Sequence, residues 1–191
     1  MYDVMGIWRD RAVRAGLALA MLLAGAGAAG AAEEGGAAQP GAPQGSGLPV
    51  PRFVSLKADQ VNLRSGPGKD YPTTWVYRRA GLPIEVIKEF DIWREVRDAD
   101  GTQGWIIQSL LSGRRTALVL PWEVKKGGEP VQAAIRRAEN AKSPTVAMVE
   151  AGVLANILSC NGRWCRISVD SYRGYIEQKK LWGVYDGEAV K

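Results

Sequence analysis

Cys160 and Cys165 are the only cysteines of the sequence, with four residues between them in CNGRWC. A C-x2-C redox motif needs a tighter spacing. A zinc site needs two further Cys or His ligands, and the chain contains no histidine at all. The same absence removes Ser-His-Asp and Cys-His nucleophilic centres. The carboxylates offer little more. Asp91, Asp98 and Asp100 cluster at or near an expected hairpin, where aspartate is an ordinary turn residue. Paired acids for glycoside hydrolysis need an enclosing cleft. These residues point away from catalysis and from a metal or cofactor.

The stretch VNLRSGPGKDYP, residues 61 to 72, is the strongest candidate for recognition. A phosphate cradle would require a Gly-Lys-Ser/Thr ending and a following helix, and neither is present. Gly68 is free to adopt a positive φ, and Pro67 fixes its own. The loop therefore reads first as a chain reversal. Asn62 and Arg64 flank it and face outward if Leu63 faces a core. Tyr71 and Trp75 follow it, and a flat aromatic wall beside an arginine suits a peptide or a sugar face. Asn62, Arg64, Tyr71 and Trp75 are the candidate ligand-binding residues.

The elements that position them come in two copies. Gly81 falls on Gly152 and, twelve residues further on in each copy, Trp93 falls on Trp164. After a one-residue gap, Gly104, Trp105, Ile106, Gln108, Leu111 and Gly113 fall on Gly174, Tyr175, Ile176, Gln178, Leu181 and Gly183. Upstream, Leu63, Arg64 and Pro72 match Ile135, Arg136 and Pro144. Each copy holds short runs with period-two alternation, PIEVIKEF and IWREVRD in one, LANILSC and RWCRISV in the other. Asp100-Gly101 and Asn161-Gly162 are hairpin-turn pairs. No long 3.6-residue period occurs. Each copy reads as a small, strongly bent barrel or sheet pair. CNGRWC sets its cysteines on either side of a hairpin tip, where opposed strand residues come close enough for a disulfide.

Trp93 and Trp164 are equivalent, as are Trp105 and Tyr175, and such repeated aromatics read as barrel packing. Tyr71 and Trp75 have no counterpart, since Ser143 and Ala147 take their places. The second copy also has RRAENAKSP where the first has RSGPGKDYP. A groove built on the glycine loop is expected in the first copy only, with the second as its stabilising partner.

The order VNLRSGPGKDYP, AGLPIEVI, IWREV, GWIIQSLL resembles the bacterial SH3-like domain family, strongly over 54 to 113 and more weakly over 120 to 183. The resemblance implies an all-β chain of two tandem SH3-like β-barrels, the second degenerate. Such domains sit mostly on exported and cell-wall-associated proteins. It implies a non-enzymatic binding module for a peptidoglycan peptide or an envelope protein, acting through the first barrel. An assembly role through protein contacts alone is the alternative.

The N-terminus fits that compartment. Arg9, Arg11 and Arg14 precede an apolar run that ends in small residues, the pattern of a Sec-type secretory signal over 1–32. Periplasmic or secreted localisation follows, with membrane contact only if the signal stays uncleaved. Residues 33–51 are rich in Gly, Ala and Pro and read as a flexible linker. The expected barrels are 52–118 and 119–185, with 186–191 as a tail. Removal of 1–32 takes three basic and two acidic residues, lowering the net charge from +5 to +4. That charge is dispersed, which argues against nucleic acid.

Overall fold

The computed structural model describes residues 45–124 and 129–191. The expected signal and most of the expected linker lie outside them. Seven strands form the first sheet: β1 (Arg52–Leu56), β2 (Val61–Arg64), β3 (Thr73–Tyr77), β4 (Pro83–Phe90), β5 (Trp93–Arg97), β6 (Gln103–Ile107) and β7 (Leu111–Ser112). The second holds β8 (Thr116–Val119), β9 (Gln132–Arg136), β10 (Thr145–Glu150), β11 (Leu154–Asn161), β12 (Trp164–Val169), β13 (Tyr172–Glu177), β14 (Leu181–Trp182) and β15 (Ala189–Val190). Among the described residues the only helical segments are short 3₁₀ turns.

The strand orders are β3-β2-β6-β5-β4-β1-β7 and β10-β9-β13-β12-β11-β8-β14. One is the other shifted by seven strands, so the internal duplication read from the sequence is a duplication of topology. Both sheets are antiparallel, and each encloses its own core. Leu56, Val61, Leu63, Ile84, Val86, Val96 and Ile106 fill the first. Val119, Ile135, Ile157, Ile167, Ile176 and both cysteines fill the second. Leu63 and Ile135, matched by sequence, are both fully buried.

Gly104 and Gly174 show why the repeat keeps a glycine there. A Cβ on Gly104 would lie 2.8 Å from the Arg64 carbonyl oxygen, and one on Gly174 would lie 2.5 Å from that of Arg136. Only glycine lets β6 reach β2, and β13 reach β9, to close each barrel.

Three expectations shift. The division between barrels falls before 118/119, because all of β8 pairs with β11 and β14 of the second sheet. Thr116 to Val119 lie upstream of the segments that align, so the repeat gave no mark of them. Ala189 and Val190, expected as tail, pair with Asn161 and Cys160. The last residues of the expected linker are also held, since the Ser46 backbone N–H and hydroxyl both donate to the Glu89 carboxylate.

The two barrels belong to one compact unit. Phe53 of β1 meets Trp182 edge-on at 5.2 Å between ring centroids and Tyr185 at 4.7 Å. The Tyr185 hydroxyl donates to Glu85 Oε1 at 3.0 Å, and Arg97 pairs with the other Glu85 oxygen at 2.6 Å. Glu85 is only 3 % exposed, so this buried carboxylate is satisfied from both sides of the seam. The Thr116 hydroxyl donates to the Gly81 carbonyl at 2.7 Å.

Candidate functional site

Along β2, Val61 and Leu63 are buried while Asn62 and Arg64 point the other way. On that outer side a cavity of about 290 Å³ is lined by Asn62, Arg64, Lys69, Trp93, Ile107 and Leu110. Trp93 begins β5 directly after a tight turn in which Asp91 takes a positive φ of 50°. It is 7 % exposed, so it serves as a wall of the barrel and as the floor of the groove. Arg64 and Lys69 are the charged residues of the lining, and no carboxylate joins them. The groove therefore presents an aromatic surface and a cationic rim, which fits peptide backbone, carboxylate or other anionic groups.

Arg64 has a second duty. Its Nη1 donates to the carbonyls of Lys69 at 2.9 Å and Tyr71 at 2.7 Å, tying the loop to β2. Arg136 makes the equivalent bond to the Ser143 carbonyl at 2.9 Å in the second barrel. The glycines act differently from expectation. Neither Gly66 nor Gly68 has a positive φ. Their role is space: a Cβ on Gly66 would lie 2.3 Å from the Tyr71 ring, and one on Gly68 would lie 3.1 Å from it. Tyr71 lies on the loop as its cover.

The four candidate residues are thus not one cluster. Asn62 and Arg64 share the groove with Trp93. Trp75 pairs with Leu63 across the ribbon, and directly opposed antiparallel residues share a face. It therefore stands on the opposite face of β2–β3 from Asn62. It is 57 % exposed and lines a different cavity. Trp93, expected chiefly as barrel packing, also lines the groove. Its position at the strand start after a tight turn was the available signal for its second role, and Trp164 repeats it.

Trp164 likewise borders a cavity, of about 240 Å³, with Arg163, Glu177, Gln178, Lys179 and Asp186. The expectation of a first-copy groove concerns only one built on the glycine loop, and the Trp164 cavity is a different one. This groove is built without the loop after β9, so losing the loop glycines does not remove it. Its lining carries both charge signs.

Glu89 anchors the hairpin that presents Trp93. Burial opposes its charge, yet hydrogen bonds from Ser46 and Arg52 and the charge of Arg94 outweigh that, and its carboxyl is lowered from 4.5 to about 2. Arg94 is 3 % exposed. Its Nε lies 3.1 Å from Glu89 Oε1, and its Nη2 donates to Gln108 Oε1 at 2.6 Å. Across β11–β12 the same register position holds Cys160 and Cys165, joined as a disulfide as expected.

Asp98 is a turn residue, as read: its Oδ1 accepts the N–H groups of Asp100 and Thr102 at 3.1 and 2.8 Å. Among the described residues no group of three or more His, Cys, Asp or Glu side chains could hold a metal ion. No helix there is long and apolar enough to cross a membrane.

A family model described as Bacterial SH3 domain matches the chain twice, over residues 57–113 and 129–183. No curated protein matches it. Among solved structures, NlpC2 from Trichomonas vaginalis aligns at 15 % identity and a TM-score of 0.31, over 71 % of this chain and 49 % of that one. NlpC1 from the same organism aligns at 17 % identity and a TM-score of 0.31, over 71 % and 47 %. The chain spans about half the length of these two proteins.

Proposed function

The chain belongs to the bacterial SH3 domain family, and from that premise we propose that it is a non-enzymatic binding module of the cell envelope. Residues 1–32 serve as its export signal, and the segment after them links it to its point of attachment or release. The first barrel binds through the groove of Asn62, Arg64, Lys69 and Trp93, with a peptide of the cell wall as its ligand.

The observation that carries this reading is the groove itself. A nearly buried tryptophan forms its floor, cations edge it, and no acid lines it. Peptide carbonyls and carboxylates meet donors there, and apolar side-chain stems meet the indole. Tyr71 supports the groove by covering the loop, and Trp75 lies outside it.

Co-sedimentation with isolated peptidoglycan at low and physiological salt tests the reading. Retention at both salts, reduced by the double change N62A/K69A, supports it. Retention at low salt alone assigns binding to net charge. No retention at either salt rejects the wall ligand and favours an envelope protein as partner.

A further inference from the structure

On the other face of the β2–β3 ribbon the first barrel has a cavity of about 230 Å³. Trp75 and Tyr77 of β3, Pro83 of β4, and Asp98 and Asp100 of the β5–β6 hairpin line it. Leu118 of β8, from the second sheet, completes the wall. No lysine or arginine is among the lining residues. This is the reverse of the groove around Trp93, where the charges are cationic.

The side chains are arranged by a fixed scaffold. Asp98 holds the hairpin through Oδ1, and its Oδ2 accepts the Tyr77 hydroxyl at 3.0 Å. Burial first, then the carboxylates of Asp98 and Asp100, push the Tyr77 phenol well above its ordinary range. The pocket is thus a region of negative potential with one apolar side. The Asp100 carboxylate accepts no hydrogen bond from the described residues and is exposed. Trp75 keeps more than half of its surface in water although it sits on a strand.

The fold does not demand these residues. In the second barrel Ala147 and Val149 stand where the first has Trp75 and Tyr77, with Val169 in place of Asp98. That barrel closes with the same topology without them.

An aromatic face, an apolar wall and carboxylates with no competing cation match one ligand chemistry. A methylene chain lies against Trp75, Pro83 and Leu118, and a terminal ammonium meets the ring face and the acids. We propose that this pocket binds an unbranched primary alkylammonium of the kind a lysine side chain carries. The proposal does not depend on the wall ligand assigned to the groove around Trp93.

The test is an NMR titration of the full chain with Nα-acetyl-lysine N-methylamide, and in parallel with its Nε-acetylated form, which keeps the methylene chain but carries no charge. The Trp75 indole N–H should shift saturably with the amine and not with the amide. Trp75→Ala should weaken binding about tenfold, the equivalent of ~1.4 kcal/mol. Asp100→Asn should weaken it about threefold. Both side chains are exposed, so the variants keep the fold, which their spectra verify. Equal shifts with the two probes, or wild-type affinity in both variants, overturns the proposal.

Discussion

The hairpin that carries Trp93 is fastened by Glu89 and Arg94, and the hairpin that carries Trp164 is fastened by Cys160 and Cys165. The pairs occupy one cross-strand position in the two sheets. One fastening is ionic and the other covalent, and the neighbours adjust. Arg94 donates to Gln108, and Glu89 gathers Ser46 and Arg52. The first barrel thereby grips the segment that enters it. In the second barrel Cys165 takes the place of Arg94, which leaves Gln178 without that donor. Its Nε2 turns instead to the carbonyls of Tyr185 and Glu188, at 2.6 and 3.0 Å. Arg115 pairs with Glu188 at 2.7 Å as well. The second barrel thereby grips the segment that leaves. A disulfide satisfies only itself, whereas an ion pair has lone pairs and protons left to recruit neighbours.

Removing Arg94 should break this comparison most severely. Arg94→Met leaves the Glu89 carboxylate with Arg52 as its one remaining cation beside the Ser46 donors, and leaves Gln108 Oε1 without its donor. A loss of about 3 kcal/mol is expected in urea unfolding, seated in the first barrel. Acid should act on the same cluster with smaller effect. The Glu89 carboxyl is depressed in the folded state, so its contribution is complete above the unfolded value of 4.5 and is lost as pH falls toward about 2. Thermal melts across that window should show the first barrel weakening ahead of the second. The variant E89C/R94C, which copies the second barrel's pair, should lose this acid response and gain one to reductant.

Reduction of Cys160–Cys165 should cost about 2 kcal/mol, because the closed loop is short. The loss belongs to the second barrel, so melts with and without dithiothreitol should leave the first transition in place. The smallest effect sharpens the loop comparison. Gly66→Ala drives a methyl group into the Tyr71 ring and should cost about 1 kcal/mol. The second barrel has Ala138 and Ser143 at these positions, and the Ser143 hydroxyl accepts the Ala138 N–H at 3.0 Å. The double change G66A/Y71S should therefore be less harmful than the two single losses added together. Additive losses would mean that the glycine is needed for a reason other than the ring.

The duplication was legible because its markers are local and rigid. Gly104 and Gly174 are forced by strand approach, and Trp93 and Trp164 each open a strand directly after a hairpin turn. The Glu89–Arg94 pair was not legible, since a single cross-strand ion pair leaves no period and is visible only once the register is known. The candidate site was half legible. Alternation set Asn62 and Arg64 outward correctly. It did not separate them from Trp75, because faces are compared across a ribbon only through pairing, and a bulge between Leu63 and Arg64 shifts that pairing. The boundary strand β8 and the ends of the chain were missed for a similar reason. Their partners are far away in sequence.

The seam of Phe53, Trp182, Tyr185 and Glu85 has a metric consequence. It joins the Trp93 and Trp164 grooves within one compact unit and so sets a separation between them. If both grooves take ligand, a polymer whose repeat matches that separation meets the second groove at an effective concentration in roughly the millimolar range. A polymer with any other period gains nothing from it. The seam would then work as a gauge, reading the pitch of a ligand that neither barrel could measure alone.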